Sequence, residues 1–307
     1  YLESMANQNF GMVIGKGGAD TAVKALLARI DSAGGEVHCG SRVARVLRKG
    51  AKATGIELAD GTKVAAKRAV IANVAPSGLM KLLDGASGDA AFDAKMAKFS
   101  HAPGTMMIHL ALDGLPDWTA GAELKSYAYV HIAPSLEQMA RTYQQAVAGL
   151  LPDEPVLVVG QPTAIDPSRA PAGKHVLWVQ VRMVPGEIRG DAAGAITGTD
   201  WASVKEIYAD RAIDMIERHA PGLKAKILGR AVVSPLDLEA DNPNLVGGDQ
   251  VAGSHHLSQN FLFRPALGHA TGNTPVEGLH ITGASVWPGA GTGAGAGYML
   301  ARKLGGQ

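Results

Sequence analysis

Apolar residues first recur at helical spacing. Val23, Leu26, Leu27 and Ile30 fall at i, i+3, i+4 and i+7, which is one face of an amphipathic helix. Asp20 or Thr21 is placed to cap its start, and Gly34-Gly35 to stop it. The pattern then turns extended. Val37 to Cys39 and Arg42 to Leu47 read as one stretch, Lys49-Gly50 as a turn and Thr54 to Leu58 as a second strand. Asp60-Gly61 reads as a hairpin turn and Thr62 to Ala66 as a third strand. Ala69-Val70-Ile71-Ala72 is uniformly apolar, which predicts a short strand buried on both faces, as in a parallel sheet.

The middle of the chain alternates. Met106, Ile108 and Leu110 oppose Met107, His109 and Ala111, and Leu177, Val179, Val181 and Met183 oppose Trp178, Gln180 and Arg182. With Ser126 to Ile132 and Pro155 to Gly160, these runs predict a separate, mostly antiparallel sheet. Ser135 to Gly149 reads as a helix with Ser135 and Gln138 as a capping box. Trp201, Val204, Tyr208, Met215, Ile216 and His219 share a second helical face, ended by Ala220-Pro221-Gly222. Near the end, Gly278 to Gly283 is a short strand running into glycine. A glycine-rich loop follows, and Tyr298 to Leu304 closes as a helix.

Composition narrows the class. With 46% hydrophobic and 19% charged residues, the 307-residue chain can fill one large core or two ordinary ones and is not disordered. The net charge of +1 argues against broad electrostatic binding to nucleic acid. One cysteine, Cys39, excludes an intrachain disulfide framework and a multi-cysteine zinc site, and no metal site is expected. No apolar run approaches a transmembrane length. Tyr1 to Asn9 shows no clear pattern, and the expectation is a chain that starts partway through a longer gene product.

Two glycine clusters carry candidate chemistry. Gly15-Lys16-Gly17-Gly18 fails the spacing of a Walker A loop, and a turn before a helix accounts for it. The second cluster, Gly289 to Gly297, follows a strand and precedes a helix. That geometry offers bare amides and a helix N-terminus to an anion. Gly289, Gly291 and Ala294 match G-x-G-x-x-A, but no strand with an acidic residue follows as a dinucleotide fingerprint requires. Tight helix–sheet packing is the competing account. His255-His256 forms a polar pair able to move a proton. Hydrogen-bonded loop histidines are the simpler account, and adjacent positions on a strand face oppositely, which disfavours zinc. Met106-Met107 and Trp178 are candidates to line an apolar channel, with core packing as the alternative.

The ordered set of motifs resembles the phytoene dehydrogenase-like flavoproteins, which include carotenoid desaturases, retinol saturase and a mitochondrial pyridine-nucleotide-disulfide-oxidoreductase-like branch. The similarity rests on Lys16-Gly17-Gly18, Gly34-Gly35, the strand through Val43, Gly55 to Leu58 and Asp60-Gly61. It continues through Ala69 to Asn73, Ala164 to Pro167, Ala170 to Gly173, Phe263-Arg264-Pro265, Leu279 to Ala284 and Pro288 to Gly291. Ala294 stands where that family usually has glycine, and Tyr298 where a polar residue is common.

The resemblance implies an α/β fold. A partial FAD/NAD(P)-binding, Rossmann-like domain lacking its first βαβ unit would occupy 1–75 and 265–307. An inserted α+β substrate domain with an antiparallel sheet would occupy 76–264. It implies FAD as cofactor, held by Val43, Gly283, Ala284, Gly289, Ala290, Gly291 and Thr292; beside such a flavin, His255 and His256 are the catalytic candidates that the residues themselves offer. The implied activity is an FAD-dependent oxidoreductase passing a hydride from a small apolar or amphipathic substrate to flavin. The implied partner is a missing N-terminal segment or a second chain that completes the FAD site. A cytoplasmic location is expected, with any membrane contact peripheral. The alternatives are a non-catalytic module binding a partner chain or lipid, and an amine-oxidase-like flavoenzyme, which an aromatic pair flanking the flavin would favour.

Overall fold

The computed structural model describes residues 14–291 and 294–306. Along the chain come α1 (Asp20–Ser32), β1 (Val43–Lys49), β2 (Lys52–Leu58), β3 (Lys63–Ala65), β4 (Val70–Ala72), α2 (Pro76–Leu82) and α3 (Ala90–Ala97). Then follow β5 (Gly104–Leu112), β6 (Tyr129–Ile132), α4 (Leu136–Val147), β7 (Leu150–Leu151), β8 (Val156–Gly160), β9 (His175–Val184) and β10 (Gly190–Asp191). The chain closes with α5 (Trp201–His219), β11 (Ile227–Val233), α6 (Pro235–Asp241), β12 (Leu279–Ile281) and α7 (Gly295–Gly305). Contacts divide it into two units: one takes Val37–Ala102 with the segment from Val251 onward, the other takes the segment up to Glu36 with Pro103–Gln250.

In the first unit, β1-β2-β3 form the antiparallel meander, while β4 pairs in parallel with β12. The strand boundaries move from the sequence expectation. Val37 to Cys39 is not part of β1, and Ile71 is 52% exposed, so β4 is not buried on both faces. Val46, Leu79, Phe92, Met96, Leu279, Ile281 and Val286 fill this unit's core. At its end, Ala294 precedes α7 with a φ of 65°. That left-handed conformation costs a residue with a Cβ about 1–2 kcal/mol, and glycine returns about 0.4–1 kcal/mol through the unfolded chain. Ala294→Gly is therefore expected to raise stability by about 0.5–1 kcal/mol in urea unfolding.

In the second unit, the expected antiparallel sheet has the order β11-β5-β9-β8-β6. Met106, Ile108 and Leu110 face the core, as do Leu177, Val179 and Val181. Met106 is fully buried there, so only Met107 of that pair keeps the opposite face. The core face packs with α5, whose Trp201, Val204, Tyr208 and Ile216 are buried. Asp200 caps α5 through the Ser203 amide, and Ser135 caps α4 through that of Gln138. The Gln138 side chain donates to the Glu154 carbonyl instead of closing a capping box. α1 forms at the expected place, but Ala19 is its N-cap with no side-chain cap bond, and Thr21 Oγ1 instead donates back to Lys16 and Gly18. None of its residues is buried. The loop before it is a turn, as expected: Gly17 N–H donates to Asp166 Oδ2 at 2.6 Å. A carboxylate takes the position a phosphate would need.

Asp191 and Arg211 form a bidentate pair at 2.6 and 2.7 Å. Burial alone would raise the Asp191 carboxyl. Arg211 and the amides of Ile196 and Ala195 outweigh it and hold the group at about 2. Its unfolded value is about 3.9, so the folded pKa is depressed. The stabilisation is complete above the unfolded value and lost as pH falls from about 4 towards 2. Urea midpoints measured across that window should fall in the wild type and fall less in Asp191→Asn. The variant should already be less stable at neutral pH, because Arg211 keeps its burial without its carboxylate. Among the described residues, no helix is long and apolar enough to cross a membrane.

Candidate cofactor-binding site

The glycine-rich loop begins where a parallel strand pair ends. β12 aligns Leu279 with Val70 and Ile281 with Ala72, so both strands deliver their carboxyl ends together. In open α/β sheets that is the edge where ligands bind. There Gly283 has a φ of 98°, and a Cβ on it would overlap the side-chain oxygen of Asn73. Val43, at the start of β1, and Asn73 line one apolar cleft of about 410 Å³. Two buried side-chain atoms on the strand that feeds the loop have no hydrogen-bond partner: His280 Nδ1 and Thr282 Oγ1. Burial and the nearby Lys303 charge lower the His280 pKa.

Beyond Gly283 the loop is held from beneath. Arg264 is fully buried. Its Nε and Nη2 donate to the Ala284 carbonyl at 3.0 and 2.8 Å, its Nη1 to Ser254 O at 3.0 Å, and its Nη2 also to Ala252 O at 3.1 Å. The buried Ser285 hydroxyl donates to Ala252 O at 2.8 Å. One guanidinium thus ties the segment before His255 to the segment that starts the loop. Gly289 lies on the same platform. A Cβ there would come to 3.2 Å from Arg264 Nε and 3.3 Å from His255 Cε1. Gly291, at φ 77°, has no described residue within 4 Å of where a Cβ would stand, and Ala290 is partly buried. Thr292 lies outside the described residues.

The structure therefore brings Gly283, Ala284, Gly289 and His255 to one place. Val43 lines the same cleft as Asn73. His255 and His256 are both exposed. His256 starts the Leu257–Gln259 turn, its N–H donating to Ser254 Oγ at 3.3 Å. Among the described residues, no group of three or more His, Cys, Asp or Glu is placed to hold a metal ion. The rings of Phe261 and Trp287 lie at the loop with centroids 4.9 Å apart and a 34° tilt. They stack on each other and leave no slot between them for a ligand. Asn73 and the role of Arg264 were not singled out from sequence. The sequence carries Arg264 within the Phe263-Arg264-Pro265 motif, as a lone cation in the apolar run Phe261 to Pro265, but not what it holds.

The arrangement fits a flavin nucleotide in three respects. Positive-φ glycines leave the backbone bare, small residues permit close approach, and the Thr282 hydroxyl is buried with its hydrogen-bonding capacity unused. A family model described as "Flavin containing amine oxidoreductase" matches residues 1–207. The chain belongs to that family. It is 27% identical over 300 residues to pyridine nucleotide-disulfide oxidoreductase domain-containing protein 2 of Mus musculus, covering 94% of this chain and 50% of that one. It is 26% identical over 307 residues to a neurosporene-forming phytoene desaturase of Rhodobacter capsulatus, covering 99% and 55%. An oxidoreductase from Methanosarcina mazei shares the fold, with a TM-score of 0.60 at 18% identity over 92% of this chain and 53% of that one. The chain spans about half the length of the curated relatives it matches. Family membership thus fixes a flavin oxidoreductase superfamily and a mixed α/β fold with an antiparallel sheet.

Proposed function

We propose that this chain is the C-terminal part of an FAD-dependent oxidoreductase of the dehydrogenase or desaturase type, acting on a small apolar or amphipathic substrate. The observation that carries the reading is the loop from Gly283 to Gly291, set at the carboxyl ends of β4 and β12 and locked by Arg264. Gly283, Ala284, Gly289 and Gly291 would hold the cofactor with their backbone, and Thr282 Oγ1 would gain a partner. A bound flavin supplies a two-electron acceptor. The chain's own share is to keep the loop rigid, to expose amides and to place His255 beside Gly289. An exposed imidazole there can hold or pass a proton. Val43, in the lining of the cleft, would add a backbone contact to the cofactor, and the remaining length of the relatives would supply the rest of its site.

The test is flavin retention and bleaching. The chain is purified alone and joined to the missing length, and flavin absorbance is read on both. Anaerobic addition of an apolar C–H donor should then bleach the flavin of the joined form. Stoichiometric FAD with bleaching by a primary amine, and none by the apolar donor, would move the assignment to the amine-oxidase type. Absence of flavin from the joined form would end the oxidoreductase reading and leave a partner-binding module.

A further inference from the structure

The five-stranded sheet of the second unit has a second face, opposite the one that α5 covers. Strand register sets Tyr129, Gly160, Trp178 and His109 side by side on it, and His131, Val158, Gln180 and Met107 in the next row. His109, His131 and Arg182 are exposed there, and Tyr129, Trp178 and Gln180 half-buried. A Cβ added to Gly160 would overlap the Trp178 indole, so the ring reaches over the neighbouring strand. The Tyr129 ring meets it edge-on, with centroids 5.4 Å apart. Arg182 lies two positions beyond Gln180. Its Nη1 donates to Gln180 Oε1 at 3.1 Å, and Gln180 Nε2 donates to Gln250 Oε1 at 3.3 Å, which steadies the guanidinium. Among the described residues Arg182 enters no ion pair. By register, none of the residues that the five strands turn to this side is Asp or Glu. The surrounding segment is the reverse: Pro103–Gln250 carries 18 Asp and Glu against 12 Lys and Arg.

A sheet face that meets only water alternates to polar residues. This one instead carries an aromatic floor, a guanidinium without a carboxylate and no acid of its own. The charge complement is an anion, and the floor calls for an apolar body attached to it. Arginine's planar fork takes a carboxylate through two parallel bonds, and indole and phenol rings offer broad apolar area with little ordering cost. We propose that this face binds a single amphipathic carboxylate, its acid group on Arg182 and its apolar body on Trp178 and Tyr129. Arg182 and Trp178 stand four positions apart on β9, so head and body must span about 13 Å. A short acid reaches the guanidinium and misses the rings. An amine is repelled by Arg182, and a neutral hydrocarbon gives that charge no partner. The inference rests on the proposed function for the ligand's being the substrate, but the face itself is read without flavin.

Calorimetric titration of the full 307-residue chain with dodecanoate, held below its micelle threshold, tests it. Dodecanol and dodecylamine carry the same body under a neutral and a cationic head. Dodecanoate should lead each control by at least about ten-fold in affinity, the worth of one charge-assisted pair. Arg182→Gln should remove that lead and leave dodecanol binding where it was, and Arg182→Lys should restore part of it. Arg182 is exposed, so its variants leave the core intact. Trp178→Leu should weaken dodecanoate and dodecanol alike. Equal affinity for the three heads, or no binding of dodecanoate, overturns the proposal. So does an Arg182→Gln variant that keeps the lead, or a Trp178→Leu variant that binds both ligands unchanged, since the acid then sits elsewhere. The form joined to the missing length is read alongside. Dodecanoate bound by the chain with no flavin in the joined form strikes the proposed function and not the face. Flavin bleached by a neutral donor, with no dodecanoate bound, strikes the face alone.

Discussion

Arg264→Leu is expected to cost about 3–5 kcal/mol of stability in the unit that carries the glycine loop. The guanidinium is fully buried and donates to the carbonyls of Ala252, Ser254 and Ala284 at 2.8–3.1 Å. Leucine fills part of the space and none of the bonds. Ala252 O keeps the Ser285 hydroxyl and Ser254 O the Gln259 amide, but the Ala284 carbonyl loses both its donors, and a carbonyl left dry and unpaired costs about 1–3 kcal/mol before relaxation. Arg264→Lys keeps the charge but has one nitrogen, which cannot serve both segments, so it should fall between the wild type and leucine. The consequence reaches the site, because the same side chain borders Gly289 and His255. Urea unfolding, with hydrogen exchange at Val251 to Ser254 and Ala284 to Gly289, reads the effect. An unchanged midpoint and unchanged exchange in Arg264→Leu would show that the carbonyls find water, and that the loop holds itself.

Much of this architecture is periodic and therefore legible. The antiparallel sheet of the second unit follows from alternation at Met106 to Ala111 and Leu177 to Met183, because each residue there has one wet and one dry side. β11 escapes notice because Gly229 and Arg230 break its pattern, and Arg230 turns its charge to Glu206 and Asp210 on α5. The apolar stripe of α1 is legible as a helix, but periodicity says nothing of what covers it: Leu26 is 65% exposed. The same limit explains Ile71, whose sequence calls for burial that the described residues do not provide. The glycine loop is visible in sequence as small residues. What makes it a site is not, since the sequence shows Arg264 only as part of the Phe263-Arg264-Pro265 motif and not the carbonyls it holds. Asn73 meets Gly283 only through the register of two strands far apart in the chain.

That meeting sets the second large effect. Gly283→Ala should lose about 2–4 kcal/mol, from two separable causes. The first is backbone: a φ of 98° is strained for any residue with a Cβ, worth about 1–2 kcal/mol. The second is overlap of the new Cβ with the Asn73 side-chain oxygen, worth about 1–3 kcal/mol where the neighbour must move. Gly291→Ala supplies the control, because its φ is 77° while no atom of the described residues lies within 4 Å of an added Cβ; it should pay the backbone cost alone. Asn73→Ala removes the obstacle. In the double variant with Gly283→Ala the losses should fall short of additive by about 1–2 kcal/mol, the coupling expected of residues in contact. Additive losses would mean that Asn73 swings aside freely, and that the close approach at the carboxyl ends of β4 and β12 is not what demands glycine there.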